Sequence, residues 1–381
     1  MLDFADTSEY DNAVRGLIDA PEVLELTDAE GNVIWSQAAY SFLDDYEQAP
    51  DTVNPSLWEN TRNNHAYGLF EVCPGIYQVR GYDMANLTVI KGDELKEIAL
   101  ETKCKLHYSH AIFVGRRSFK DKAEFLQIMN GLREAGVDAM FDIYNELLGV
   151  SVITVILPAW YQAMSIEERR KPLNRLKLTV LVYATSLLLG FGFKDIQVAY
   201  IGKGFEKYEG KSVHDIAKAE GMSDLDAYLM LCEKSDYKGR VNMGPYTTPE
   251  IISDFEHNEN CLYMTDAWVE EFGVQNPAIY DCFPKFLRDA LTGTGDTLEN
   301  TIRRMTGATA DRFKLSDRGY IRPGCFADLT VFDEKEIRAA QPEQEKPFGI
   351  RQVFINGKQV LSEGTLDKDA LKTTGRAIRV G

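Results

Sequence analysis

The sequence predicts an α/β protein with an antiparallel β segment at its front, alternating strands and helices in its middle and a β-rich C-terminal segment. Three observations predict this. Before residue 93, short apolar runs separated by turn residues follow one another. After it, strand and helix periodicities alternate, the signature of βα units over a parallel sheet. Near the end, Asn356-Gly357 lies between two strand patterns, the strongest short-range hairpin signal in the chain.

Taken in order, residues 1–62 read as polar and irregular, with a turn at Asp28–Asn32 and a short strand at Val33-Ile34-Trp35. Gly68–Val72 and Gly75–Arg80 form a hairpin whose turn is Cys73-Pro74-Gly75, and Leu87–Ile90 adds a third strand. Leu95–Thr102 then reads as helix and Lys105–His110 as strand. Phe125, Ile128, Met129, Leu132 and Ala135 recur at helical spacing in a segment that Gly136 stops. Ala139–Tyr144, Gln197–Ile201 and Cys261–Asp266 read as further strands, with helices at Val213–Ala219 and Asp224–Leu231 between them. Thr297–Met305 and Thr309–Phe313 are helical. Asp328–Phe332, Ile350–Ile355 and Lys358–Leu361 are strands. The domains expected are 1–93, 94–296 and 297–381.

Composition narrows the function. The chain has 381 residues, and its 59 acidic against 42 basic residues give a net charge of −17. That argues against nucleic-acid binding, which needs a basic stripe to release counterions. The acidic N-terminus has no basic n-region or apolar h-region, so no signal peptide is expected. The apolar run Leu178–Phe193 is short for a membrane span and reads as a buried helix or strand–turn piece. The six cysteines are scattered without a CxxC pair, which fits a reduced, cytoplasmic protein and offers no cysteine zinc site.

Five histidines are candidates for chemistry: 65, 107, 110, 214 and 257. His110 closes a strand, where a βα barrel carries its active site. His107 lies three residues earlier, so on an extended strand it points to the other face. Asp266 also closes a strand and Asp142 sits similarly in the strand Ala139–Tyr144, and each could be a general base, a metal ligand or a helix cap. His214 at a helix start and His257 in a polar loop read as structural, and His65 is ambiguous. No HxH pair, HxHxDH, GxSxG elbow, P-loop or GxGxxG is present.

Over about residues 94–381 the chain resembles the N-acyl-D-amino-acid deacylases of the amidohydrolase superfamily. The segments that carry the resemblance include "LHYSHAIFVGRRSFKDKAEFLQIMNGLREAGVDAMFDIY" (106–144), "NPAIYDCFPKFLRDAL" (276–291), "IRRMTGATADRFKLSDRGYIRPGCFADLTVFD" (302–333) and "IRQVFINGKQVLSEGTL" (350–366). The resemblance implies a partial (β/α) barrel of amidohydrolase type and metal-dependent hydrolysis of the amide of N-acyl (D-)amino acids. By position it assigns zinc ligation to His110, with His107 and Tyr144 as further candidates, and makes Asp266 the catalytic proton shuttle. The family's Gly-Ser-Asp-Gly has become Met264-Thr265-Asp266-Ala267, and its sixth strand reads Asp142-Ile143-Tyr144-Asn145-Glu146. The first four barrel strands of the family, with their HxH pair and bridging Cys or Lys, have no counterpart. In their place, residues about 10–93, and "APDTVNPSLWENTRNNHAYGLFEVCPGIYQVRGYDMANLTVIKGD" (49–93) above all, resemble the N-terminal segment of linear alkylsulfatases of the metallo-β-lactamase superfamily. The join falls near Asp93-Glu94. The expected partner is a small N-acyl amino acid, with no nucleic acid and no membrane. A half barrel leaves an open edge that self-association would cover, so a homo-oligomer is expected. Two alternatives stay open: a catalytically inactive fused remnant or binding protein, and an alkylsulfatase-related hydrolase.

Overall fold

The structure is a computed structural model that describes residues 11, 13–20, 25–27, 33–43, 49–73, 76–81, 87–90, 99–100, 105–267, 269, 271–339 and 349–375. Met1–Lys103 with Ala163–Ile166 forms one compact unit, and Cys104–Gln162 with Glu167–Gly375 forms the other.

The first unit is built on short strands, as the turn spacing predicts. β1 (Leu17–Asp19), β4 (Gly68–Cys73), β5 (Ile76–Arg80) and β6 (Leu87–Ile90) form an antiparallel sheet in the order β1-β4-β5-β6. Leu69 pairs with Val79 and Val79 with Leu87, so the hairpin and its third strand stand in the expected order. β2 (Glu25–Thr27) and β3 (Val33–Ser36) make a separate hairpin. The helix α1 (Pro55–Asn64) was not legible. Its sequence is polar except at Leu57 and Trp58, only Trp58 of the two is buried, and so one apolar contact replaces a stripe. The turn at Pro74-Gly75 and the join at Asp93-Glu94 lie outside the described residues, and of the expected helix 95–102 only residues 99–100 are described, as helical.

The second unit holds the parallel sheet. β7 (Leu106–Tyr108), β8 (Ala139–Ile143) and β12 (Cys261–Tyr263) pair in the order β12-β8-β7, both pairs parallel. The connection from β7 to β8 is α2 (Lys122–Glu134), which buries Met129 and Leu132 as its spacing predicts. The fourth expected strand is elsewhere. β10 (Ile196–Tyr200) joins β11 (Arg240–Met243) and β9 (Gly149–Val152) in an antiparallel sheet, order β10-β11-β9. An apolar run reports burial on both faces but not the direction of its neighbour. β11 escaped notice because Arg240 and Asn242 interrupt the apolar pattern, yet both are buried.

Serine caps make the next two helices legible. Ser212 and Ser223 accept hydrogen bonds from Asp215 and Asp226 at the starts of Val213–Glu220 and Asp224–Lys234. The run 178–193 contributes to a helix, Pro172–Leu189, that buries Leu178 and Val182 and leaves the opposite face exposed, rather than lying buried as a whole. At the end of the chain, β13 (Leu329–Phe332), β14 (Ile350–Ile355), β15 (Lys358–Ser362) and β16 (Thr365–Leu366) form an antiparallel sheet. Asn356 and Gly357 have φ of 48° and 82°, the pair of positive angles that a two-residue hairpin turn requires.

The aromatic core lies against one face of the parallel sheet. Phe141 and Phe255 are almost wholly buried with ring centroids 5.2 Å apart, and Phe125 stands 5.2 Å from Phe141 and 5.6 Å from Phe255. The last helices are tied to this sheet by Arg312, whose guanidinium donates to the Leu106 carbonyl at 2.6 Å and pairs with the Asp138 carboxylate.

Glu256, next to Phe255, is buried too. Its carboxyl is pushed up to about 8, by burial first and then by the charge of Asp289, with Arg304 pulling it down. Asn145 Nδ2 donates to both acids, at 3.4 Å to Glu256 and 2.6 Å to Asp289. Glu256 is therefore protonated in the fold at neutral pH while its unfolded counterpart ionises near 4.5. The unfolded state then binds fewer protons, so stability falls as pH rises from about 4.5 to about 8 and levels off above. Glu256→Gln is expected to flatten this fall, measured as urea midpoints from pH 5 to pH 9. A variant with an unchanged slope would place the carboxylate elsewhere.

Candidate active site

The parallel sheet positions the candidate residues by alternation. On β8, Phe141 faces the aromatic core and Asp142 the other side. One Asp142 oxygen accepts the backbone N–H of His110 at 2.5 Å, and the other meets His107 Nε2 at 2.7 Å. The Ala111 N–H donates to the Asp142 carbonyl at 2.8 Å. Asp142 thus holds the turn that follows β7 and fixes the His107 ring with Nε2 toward it. Nδ1 of His107 is buried without a partner among the described residues, which the tautomer protonated on Nε2 tolerates best.

His110 and Asp266 follow the C-terminal ends of β7 and β12, two strands of one sheet. Both adopt left-handed backbone, φ 40° and 47°. For residues other than glycine this costs on the order of 1–3 kcal/mol, and such strain concentrates at functional sites. The Met264 N–H donates to the Ile143 carbonyl at 2.9 Å, so β8 fixes where the chain leaves β12. Asp266 is half-buried and His110 exposed. Burial raises the Asp266 carboxyl, the His110 imidazole pulls it down and the Asp142 charge raises it again. The three groups therefore share one electrostatic environment.

Tyr144 closes the site from the end of β8. It is buried, its hydroxyl has no hydrogen-bond partner among the described residues, and its ionisation is driven far up by burial and then by Asp266. Tyr246 is pushed up to about 12 by burial and then by Asp266. The two rings meet over Gly149, where any side chain would come within 2.8 Å of the Tyr246 ring and 3.1 Å of the Tyr144 hydroxyl. Cys282 ties two strand ends together, accepting from the Asn145 N–H at 3.2 Å and donating to the Met264 carbonyl at 3.2 Å. Sequence reasoning missed Tyr246 and Cys282. Neither stands in a pattern of its own, and both reach the site from elements distant in sequence.

The other histidines take structural roles. His214 Nδ1 meets Asp224 at 3.0 Å, His257 Nδ1 meets the Ser253 carbonyl at 2.7 Å, and the His65 ring lies 5.8 Å from that of Tyr67.

Among the described residues the donor set does not complete a zinc site. A catalytic zinc takes three protein ligands, and among the described residues no three of His, Cys, Asp and Glu converge. His107 Nε2 is engaged by Asp142, which leaves its buried Nδ1 as the one ring nitrogen open to a ligand.

Residues 261–361, which include β12, Asp266, β13 and β14, match the model of an amidohydrolase family. The chain is 28% identical over 175 residues to D-aminoacylase of Alcaligenes xylosoxydans xylosoxydans, covering 42% of this chain and 33% of the relative. It is 54% identical over 92 residues to an (R)-specific secondary-alkylsulfatase of Pseudomonas sp., covering 24% of this chain and 14% of the relative. The crystal structure of N-acyl-D-glutamate deacylase from Bordetella bronchiseptica, complexed with zinc and a phosphonate inhibitor, superposes with a TM-score of 0.55 at 20% identity. That superposition covers 75% of this chain and 52% of the deacylase. The fold of the larger part is thus a mixed helix–strand fold similar to that deacylase's. The chain resembles the N-acyl-D-amino-acid deacylases over its larger, C-terminal part and the alkylsulfatases over its N-terminal segment. It spans a third or less of the length of these two curated relatives and about half of the deacylase structure.

Proposed function

We propose that the chain is an amidohydrolase-type hydrolase that cleaves the amide bond of N-acyl amino acids, D-configured ones foremost, with the second unit arranged as a partial (β/α) barrel. The observation that carries this is the convergence of His110 and Asp266 from two strand ends of one parallel sheet, with the imidazole acting on the carboxyl. A half-buried carboxyl whose pKa burial raises is better suited to proton transfer than a free one. Asp266 takes a proton from the attacking water and passes it to the departing amine, while His110 favours the ionised carboxylate. Tyr144 and Tyr246 wall the site and stay protonated. The deacylase structure holds zinc, and a catalytic zinc in general activates a water; the proposed reaction routes no step through zinc, because the donors among the described residues do not complete a site for it.

The misfit favours a second reading, a binding protein that has lost turnover. Free-amine release from N-acetyl-D-amino acids, with and without added zinc, separates the two. Release that zinc does not change is the expected result. Binding by equilibrium dialysis without any release would establish the second reading instead.

A further inference from the structure

The helix Pro172–Leu189 is apolar on two faces. Leu178 and Val182 are buried in its own unit. On the opposite side Leu173, Leu176, Val180, Leu187 and Leu188 are each 60–71% exposed. Leu173, Leu176, Val180, Tyr183 and Leu187 recur at alternating steps of three and four, the spacing of a coiled-coil seam. The helix contains no acidic residue, although the chain carries a net charge of −17. A helix that is apolar all round is normally a buried one. The exposed stripe offers on the order of 600 Å², at the upper limit of a single patch on a monomer. It is also most of the roughly 800 Å² that each partner contributes to a stable interface. Among the described residues no helix is long and apolar enough to cross a membrane.

We propose that this face is covered by the same face of a second copy, the two helices running antiparallel about a two-fold axis at Val180. A two-fold interface must be self-complementary, and this stripe is. With the axis at Val180, Leu173 of one copy faces Leu187 of the other, and Leu176 faces Ala184. Lys177, the one charged residue on this face, faces Tyr183, whose ring accepts a cation. The proposal is independent of the hydrolase reading.

Light scattering on the full chain tests it. The wild type is expected at twice 43.0 kDa at tens of micromolar. Val180→Glu and Val180→Lys each place two like charges at the axis and are expected to weaken the dimer at least about 100-fold. Mixing the two variants in equal amounts pairs opposite charges and restores the dimer, which a merely unfolded variant would not do. Should either charged variant melt early, Val180→Ser is expected to give a folded protein with weakened association. A wild-type monomer overturns the proposal, whether or not it floats with phosphatidylcholine vesicles. A dimer that persists in both charged variants overturns it too.

Discussion

Asp266→Asn is expected to lower the hydrolysis of N-acetyl-D-amino acids by roughly 100- to 10,000-fold, the range set by losing a positioned proton-transfer group. The amide keeps the shape of the carboxyl but cannot accept the water's proton. Asp266 is half-buried beyond the end of β12 rather than in the aromatic core, so circular dichroism and the melting curve should stay close to wild type. The wild-type pH profile is expected to carry the same signature. In the proposed reaction the reactive form is the carboxylate, and burial raises its pKa, so activity is expected to be lost as pH falls through a value above the ordinary carboxylate range. A variant that keeps wild-type turnover would remove Asp266 from the chemistry.

Phe255→Ala is expected to destabilise the second unit by about 3–5 kcal/mol, the cost of truncating a large aromatic in a packed core. Phe255 is 1% exposed, and its ring is packed by those of Phe113, Phe125 and Phe141 at 5.2–6.1 Å. These neighbours come from a loop, a helix and the central strand, so no single one can move in without dragging its element. The cavity therefore stays open and each ring loses contacts on one side. Urea unfolding followed by near-ultraviolet circular dichroism measures it. A loss below about 1 kcal/mol would mean that the core collapses freely around the site, contrary to the packing density of protein interiors.

How far the sequence was legible depended on whether an element's signal was local. The helices capped by Ser212 and Ser223 and the Asn356-Gly357 hairpin were legible because cap and turn chemistry act within three residues. β7, β8 and β12 were legible as apolar runs bounded by breaks. β10 was placed in the wrong sheet because pairing direction is decided by β9 and β11, which lie 40 or more residues away in the chain. The places of His110 and Asp266 just beyond strand ends were legible from the apolar runs before them, and Asp142 was legible as part of β8. That Asp142 acts as the clamp between His107 and His110 was not, since it depends on the parallel register of β7 on β8. Tyr246 and Cys282 enter from other elements and had no local signal.

The central claim is that the strand ends at His110 and Asp266 build one acid–base site. The most direct measurement is a carbon-13 NMR titration of the Asp266 carboxyl in the wild type and in His110→Ala. Burial predicts a raised pKa in the wild type, and removing the imidazole that pulls it down predicts a further rise in the variant. An Asp266 pKa at the ordinary value, unmoved by His110→Ala, would contradict the site.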